Sequence, residues 1–126
     1  MWRTAIYARE TTGGGRRALE RQVATLVAQV ARQAGWHHVA TYVDQAPGGA
    51  GPGFARLLAD APGHFDLVVV DDYGRLSANR HELAAILDRL RWAGVGVVVL
   101  LPSRGRRLAK LAANLALADL VGEAAR

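Results

Sequence analysis

Two short runs of consecutive apolar residues limit the folds that this chain of 126 residues can adopt. They occupy residues 66–71 (DLVVVD) and 95–101 (VGVVVLL). Apolar runs of this length without polar alternation are typical of strands that are buried on both faces of a sheet. Two further strands are predicted at residues 3–8 (RTAIYA) and 38–43 (HVATYV), so the sequence provides at least four strands.

The segments between and after these strands show apolar residues at helical spacing. The predicted helices cover residues 17–34, 54–60, 79–92 and 105–124. Regular alternation of strands and helices is typical of a parallel sheet with helices packed on both faces. We therefore predict a three-layer α/β fold with a mostly parallel sheet of four to five strands. We expect a single domain over residues 1–126, with no separate DNA-binding domain.

The composition excludes several classes of protein and site. Cysteine is absent, so the chain has no disulfides and no thiolate ligands for a metal. The four histidines do not cluster in the sequence, and no apolar run reaches the ~20 residues of a membrane span. We therefore expect a cytoplasmic protein with no metal, no cofactor and no membrane partner. The net charge of +5, carried almost wholly by arginine, is compatible with a nucleic-acid partner but does not identify one.

Three segments follow the carboxyl ends of the first three predicted strands, where open α/β sheets place their sites. They are residues 9–15, 44–53 and 71–79. The first contains the start of GGGRRA, a loose match to a dinucleotide-binding pattern, and Asp44 stands where a ribose-binding acid is expected. Nucleotide or anion binding at this loop is therefore one hypothesis, although a glycine-rich sequence produces such matches easily.

Taken in order, these segments resemble the catalytic domain of the serine recombinases, the resolvase/invertase family. RTAIYAR resembles the first strand of that domain, ALERQVATL its first helix, and GWHHVATYVD its second strand. GPGFARLLADA resembles the short helix, and the segment from FDLVVVDDYGRLSANR to VGVVVL resembles the third and fourth strands with the helix between them. The resemblance covers nearly the whole chain and implies the resolvase fold.

The resemblance also implies DNA strand exchange, in which a serine hydroxyl attacks a DNA phosphate and arginines neutralise the phosphate. Such a hydroxyl is a weak nucleophile at neutral pH, so positioning and positive charge must supply most of the catalysis. The nucleophile position corresponds to Thr11, two residues after Arg9. The residues that the resemblance assigns to this centre are Tyr7, Arg9, Thr11, Gln22, Asp72 and Arg75.

The chain departs from the family pattern at several of these positions. The family stretch D-R-L-S-R is here Gly74 to Ala78, so its aspartate and its second arginine are absent. A further family arginine before the proline–glycine of the short helix is replaced by Gly51. The extra methyl group of Thr11 crowds an in-line attack and restricts χ1. We therefore predict a pseudoenzyme, with an active recombinase that uses Thr11 as the alternative.

Further basic residues are candidate contacts for DNA or another anion. They are Arg16, Arg17, Arg80, Arg104, Arg106, Arg107 and Lys110. The predicted helix 105–124 carries apolar residues on more than one face, whereas a helix that only covers a core needs one apolar stripe. We therefore expect a homodimer through this helix, with DNA or a complete recombinase as a further partner.

Overall fold

In the computed structural model, the residues that can be described are 1–10, 14–45 and 51–100. They form a parallel sheet of four strands in the order β2-β1-β3-β4. The strands are β1 (Trp2–Arg9), β2 (Trp36–Asp44), β3 (Leu67–Val70) and β4 (Gly96–Val99). The helices are α1 (Gly15–Ala31), α2 (Pro52–His64) and α3 (Arg80–Trp92), with a short 3-10 helix at Tyr73–Arg75. The predicted α/β fold is confirmed, while the predicted helix 105–124 lies outside the described residues.

The helices cover both faces of the sheet, as the strand order requires. The chain moves from β1 to β2 in one direction and then back across β1 to β3 and β4. Because parallel crossovers are right-handed, α1 lies on one face and α2 and α3 lie on the other. Two apolar clusters match this arrangement, one around Leu26 and Val30 of α1 and one around Leu57 of α2 and Leu90 of α3. All four residues of β3 are fully buried, as their apolar run predicts.

The end of β2 and the start of α2 are joined by the buried carboxylate of Asp44. The backbone N–H of Gly53 donates to Oδ1 at 2.8 Å, and that of Phe54 donates to Oδ2 at 2.9 Å. The hydroxyl of Tyr7 on β1 donates to the same Oδ2 at 2.7 Å. Asp44 therefore supplies acceptors for two free N–H groups of a helix start and ties three elements together.

The helix α2 is longer than the predicted range of 54–60 at both ends. Pro52 occupies the first turn, where a missing N–H has no cost and the fixed φ suits a helix. Near the other end, Pro62 and Gly63 have non-helical backbone angles, so the element is kinked there. Gly63 has φ +87°, which a residue without a Cβ atom adopts without strain. None of the helices in the described ranges is both long and apolar enough to span a bilayer.

We predict that Gly53→Ala is strongly destabilising, because α2 approaches β2 too closely for a side chain there. A Cβ atom on Gly53 would overlap the carbonyl oxygen of Val43 and lie 3.0 Å from Oδ1 of Asp44. Overpacking against backbone typically costs about 1–3 kcal/mol in the free energy of unfolding. Gly74→Ala is the control, since a Cβ atom there would be 3.5 Å from its nearest neighbour. Urea unfolding should show a change within about 0.5 kcal/mol for the control, and equal losses for both variants would contradict the prediction.

We predict that two tyrosine–aspartate pairs contribute unequally to stability. Tyr7 donates to the buried Asp44, whereas Tyr42 donates at 2.7 Å to the partly buried Asp60. Removing the Tyr7 hydroxyl by Tyr7→Phe should lower the free energy of unfolding at neutral pH by about 1–2 kcal/mol, because a buried acceptor loses a donor. Tyr42→Phe should cost less, because water reaches its partner more easily. Equal costs would contradict this account.

The same pairs predict how stability changes at alkaline pH. Burial, reinforced by the carboxylate of Asp44, raises the pKa of Tyr7, and burial beside Asp60 raises the pKa of Tyr42 to about 12. A phenol with a raised pKa in the folded state stabilises the fold fully below its unfolded pKa of about 10. That contribution is lost as pH rises towards the folded value. The free energy of unfolding, measured from neutral to alkaline pH, should therefore decrease more steeply for the wild type than for Tyr7→Phe.

Candidate functional site

The three segments predicted to meet at the carboxyl edge of the sheet are brought together in the part of the chain that the structure describes. The N–H of Glu10 donates to the carbonyl oxygen of Asp44 at 3.1 Å, so the first and second segments are in contact. Nη1 of Arg75 donates to the carbonyl oxygen of Arg9 at 2.9 Å, which joins the third segment to the first. The edge of the sheet is therefore a single connected surface.

The amide side chain of Gln22 holds the end of β1 in place. The backbone N–H of Arg9 donates to Oε1 of Gln22 at 2.9 Å, and Nε2 of Gln22 donates to the carbonyl oxygen of Arg9 at 3.2 Å. One side chain of α1 thus satisfies both backbone groups of a strand residue. This fixes the backbone two residues before Thr11, which itself lies outside the described residues.

The side chain of Arg9 is almost completely buried, with 7% of its surface exposed. Side chains alternate along a strand, so Arg9 shares the face of Tyr7 rather than that of α1. Its Nε atom is buried and has no hydrogen-bond partner among the described residues. Buried donors are nearly always paired in folded proteins, so this atom marks a position where an acceptor such as a phosphate oxygen would be stabilised.

Arg75 is bound by a carboxylate of its own chain. Its Nε donates to Oδ1 of Asp71 at 2.8 Å, and its Nη2 donates to Oδ2 at 3.2 Å. The hydrogen bond to Asp71 is the main cause that raises the pKa of the guanidinium, and the charges of Asp72 and Glu10 add to it. The charge of Arg75, one of the two arginines that match the family pattern, is therefore balanced by a carboxylate within the described structure.

Asp72 has a local structural role in this geometry. Its Oδ1 accepts the backbone N–H of Gly74 at 2.9 Å and so caps the 3-10 helix. It does not line the cavity that contains Asp71 and Arg75. Asn79 caps α3 by accepting the N–H of Glu82 at 3.0 Å.

A cavity of about 270 Å³ opens at this edge between β1, β3 and α1. Charges of both signs line it, because Glu10 and Asp71 face Arg21 and Arg75. Its other lining residues are Ala18, Gln22, Thr25 and Leu100. A phosphate that entered this cavity would meet two guanidinium groups and two carboxylates. Within residues 1–10, 14–45 and 51–100, no three histidine or acidic side chains are grouped as metal ligands.

The remaining predicted basic residues fall into two groups. Arg16 and Arg17 are exposed at the start of α1, and Arg80 is exposed at the start of α3. Arg16 forms an exposed ion pair with Glu20 at 3.1 Å. The others lie outside the described residues, and they are Arg104, Arg106, Arg107 and Lys110.

Glu10 and Asp71 lie within the segments 9–15 and 71–79 that the sequence predicts at this edge, whereas Arg21 lies outside the predicted segments. Arg21 is three residues after Ala18 and four before Thr25, and residues at this spacing share one face of a helix. That spacing, together with the adjacent Gln22, was the available signal for Arg21. For Asp71, the signal was its position directly after the last residue of β3.

Gly51, one of the positions where the chain departs from the family pattern, is closely confined. A Cβ atom on Gly51 would overlap the carboxylate of Asp44, so a side chain there requires Asp44 to move. At Gly74, by contrast, there is ordinary space for a side chain, and Ala78 is exposed. The packing around position 51 therefore leaves no room for an arginine. The packing around Gly74 and Ala78 does not explain why the family residues are absent there.

Comparison with known proteins places this chain in a family. A sequence model described as the resolvase N-terminal domain matches residues 4–120. No curated protein matches the chain significantly. Solved structures that are similar include the C-terminal catalytic domain of ISC1926 TnpA, an IS607-like serine recombinase, at 26% identity and a TM-score of 0.71, with 80% of this chain and 70% of that chain covered.

Two more solved structures cover almost the entire chain. The C-terminal catalytic domain of IS1535 TnpA, also an IS607-like serine recombinase, is 27% identical with a TM-score of 0.58, over 97% of this chain and 98% of that chain. A resolvase family site-specific recombinase from Streptococcus pneumoniae shares the fold at 16% identity and a TM-score of 0.69, over 98% of this chain and 93% of that chain. With the family match spanning most of its length, this chain belongs to the resolvase N-terminal domain family and has the fold of a serine recombinase catalytic domain.

Proposed function

We propose that this chain acts in site-specific DNA recombination as an accessory or regulatory domain that does not itself cleave DNA. The observation that carries the proposal is the bidentate pair between Arg75 and Asp71. A guanidinium whose charge is balanced by an adjacent carboxylate is poorly suited to stabilise the charge that develops on a phosphate.

The positions that lack an arginine support the same conclusion. Attack of a hydroxyl on a phosphate is catalysed mainly by positioning and by positive charge around the reacting oxygens. Compared with the family pattern, this chain has no guanidinium at Gly51 or Ala78. Removing one such donor from an active site typically lowers the rate by a factor of about 10²–10³. Two absent arginines and a neutralised third together would reduce strand cleavage far below a useful rate.

The scaffold around the missing charges remains well constructed. Gln22 still clamps the backbone of Arg9, and Asp44 still joins Tyr7 to the start of α2. A domain that keeps its shape while it lacks catalytic charge is suited to association with other chains. We expect a homodimer through residues 105–124, with DNA or a complete recombinase as a further partner. Exposed basic residues such as Arg16, Arg17 and Arg80 are candidate contacts for DNA phosphates.

An active recombinase that uses Thr11 is the second candidate. It is favoured by the way Gln22 fixes the end of β1 close before Thr11. Nucleotide binding is less well supported, because Asp44 does not have the environment of a ribose-binding acid. Its carboxylate is buried and accepts hydrogen bonds from Tyr7, Gly53 and Phe54.

We predict that no covalent link forms between Thr11 and DNA. The protein is incubated with a pool of random duplexes that contain nicks, denatured, digested and analysed by mass spectrometry for a nucleotide remnant on residue 11. Wild type should give no more remnant than Thr11→Ala. Thr11→Ser should also give none, because the site lacks charge rather than a hydroxyl. A serine recombinase catalytic domain with the full arginine set is the positive control.

A nucleotide remnant on wild-type Thr11 that is absent from Thr11→Ala would contradict the proposal and establish the second candidate. A remnant only on Thr11→Ser would show that the hydroxyl alone limits the reaction. That result would contradict the argument from charge.

A further inference from the structure

The guanidinium of Arg75 presents to Asp71 the same edge that would bind a phosphate. Nε and Nη2 form the fork that grips carboxylates and phosphates with two parallel hydrogen bonds. Both atoms donate to Asp71, at 2.8 Å and 3.2 Å, and Nη1 donates to the carbonyl oxygen of Arg9. A phosphate can therefore take this edge only after the carboxylate leaves it.

The pair between Asp71 and Arg75 is held together by a short segment whose two ends are anchored in the fold. Asp71 directly follows the fully buried β3, and Arg75 lies four residues later at the end of a 3-10 helix. Asp72 caps that helix, and the buried side chain of Leu76 follows it. Little conformational entropy is lost when two groups held this close form a pair. The carboxylate consequently competes at a high effective concentration.

The pair is nevertheless accessible from the cavity. The side chains of Arg75 and Asp71 are 28% and 22% exposed, so an external anion can reach them. Glu10 also lines this cavity and adds negative charge close to Arg75. The two carboxylates balance the charges of Arg75 and Arg21, so an entering phosphate finds almost no net positive charge.

We infer that Asp71 is an internal competitor for phosphate at Arg75, and that this carboxylate sets how strongly the site binds a DNA phosphate. The inference builds on the proposed function, because it explains why a domain with this family's fold would contact DNA without activating a phosphate. Asp71 is in this sense a positioning residue, which acts through the guanidinium of Arg75.

The chain contains a matched control at the opposite end of the same strand. Asp66 precedes β3 and binds Arg3 through the same fork, with Nε to Oδ2 at 3.3 Å and Nη2 to Oδ1 at 3.1 Å. Asp66→Asn and Asp71→Asn therefore remove the same charge from the same kind of pair. Asp71 lies at the carboxyl edge and Asp66 at the amino edge, where the pair is more exposed and Asp66 also accepts the backbone N–H of Arg3.

The test measures binding of a short duplex by fluorescence anisotropy and binding of inorganic pyrophosphate by calorimetry. Asp71→Asn should raise affinity for both probes by about tenfold, the scale of one charge-assisted hydrogen-bonded pair. Asp66→Asn should raise it by no more than about twofold, through net charge alone. Adding Arg75→Ala to Asp71→Asn should abolish the gain, as expected if the two residues are coupled. Asp71→Ser is measured alongside, so that misfolding of one variant does not end the test.

Equal effects of Asp71→Asn and Asp66→Asn would overturn the inference, as would a gain that survives Arg75→Ala. Failure of both Asp71 variants to fold would also overturn it, because a competitor is not required for folding. Failure of the proposed function has a different signature. If no variant binds duplex but Asp71→Asn binds pyrophosphate through Arg75, the competition by Asp71 is supported and the proposed role with DNA is contradicted.

Discussion

The buried carboxylate of Asp44 joins three elements at the carboxyl edge of the sheet. It accepts one hydrogen bond from Tyr7 of β1 and two from the first turn of α2, while its own backbone carbonyl accepts the N–H of Glu10. A buried charge is tolerated only when it is well hydrogen-bonded, so these donors must stay in place together. The spacing between β2 and α2 follows from this requirement, and it leaves Gly53 without room for a side chain. The backbone hydrogen bond to Glu10 also connects Asp44 to a residue that lines the cavity.

The two arginines at this edge differ in their partners. The buried Nε of Arg9 has no hydrogen-bond partner among the described residues, whereas Arg75 is held by Asp71. The family fold is retained, and the pairing of Arg75 with Asp71 is the basis of the proposal that this chain does not cleave DNA. The contacts of Gln22 and Asp44 stabilise the fold, and so does the hydrogen bond from Arg75 to the carbonyl oxygen of Arg9. A chain that functions by association needs this framework but does not need arginines that are free to bind a phosphate, which agrees with the proposed accessory role.

Much of the fold could be predicted from the sequence, because each strand and helix carries its own apolar pattern. The run at 66–71 indicates a strand buried on both faces, and β3 is fully buried. Boundaries were less accurate where local chemistry decides them, as at the predicted helix 54–60, which Pro52 extends at its start. The ion pair between Asp71 and Arg75 could not be predicted. Alternation along the strand indicates the side of the sheet on which Asp71 lies, but it does not indicate the path of the 3-10 helix that carries Arg75. Thr11 and the C-terminal basic residues lie outside the described residues, so their roles remain predictions.

In the wild-type protein Arg75 is paired with Asp71, so a phosphate must displace this carboxylate before it can bind the guanidinium. Nuclear magnetic resonance of the arginine Nε–H groups in a ¹⁵N-labelled chain tests this claim directly, with the Arg75 signal assigned from Arg75→Lys. We predict a slowly exchanging Arg75 Nε–H signal that moves on Asp71→Asn and that needs about tenfold more pyrophosphate to shift in the wild type than in Asp71→Asn. A fast-exchanging signal in the free protein, or a shift at the same pyrophosphate concentration in both proteins, would contradict this prediction.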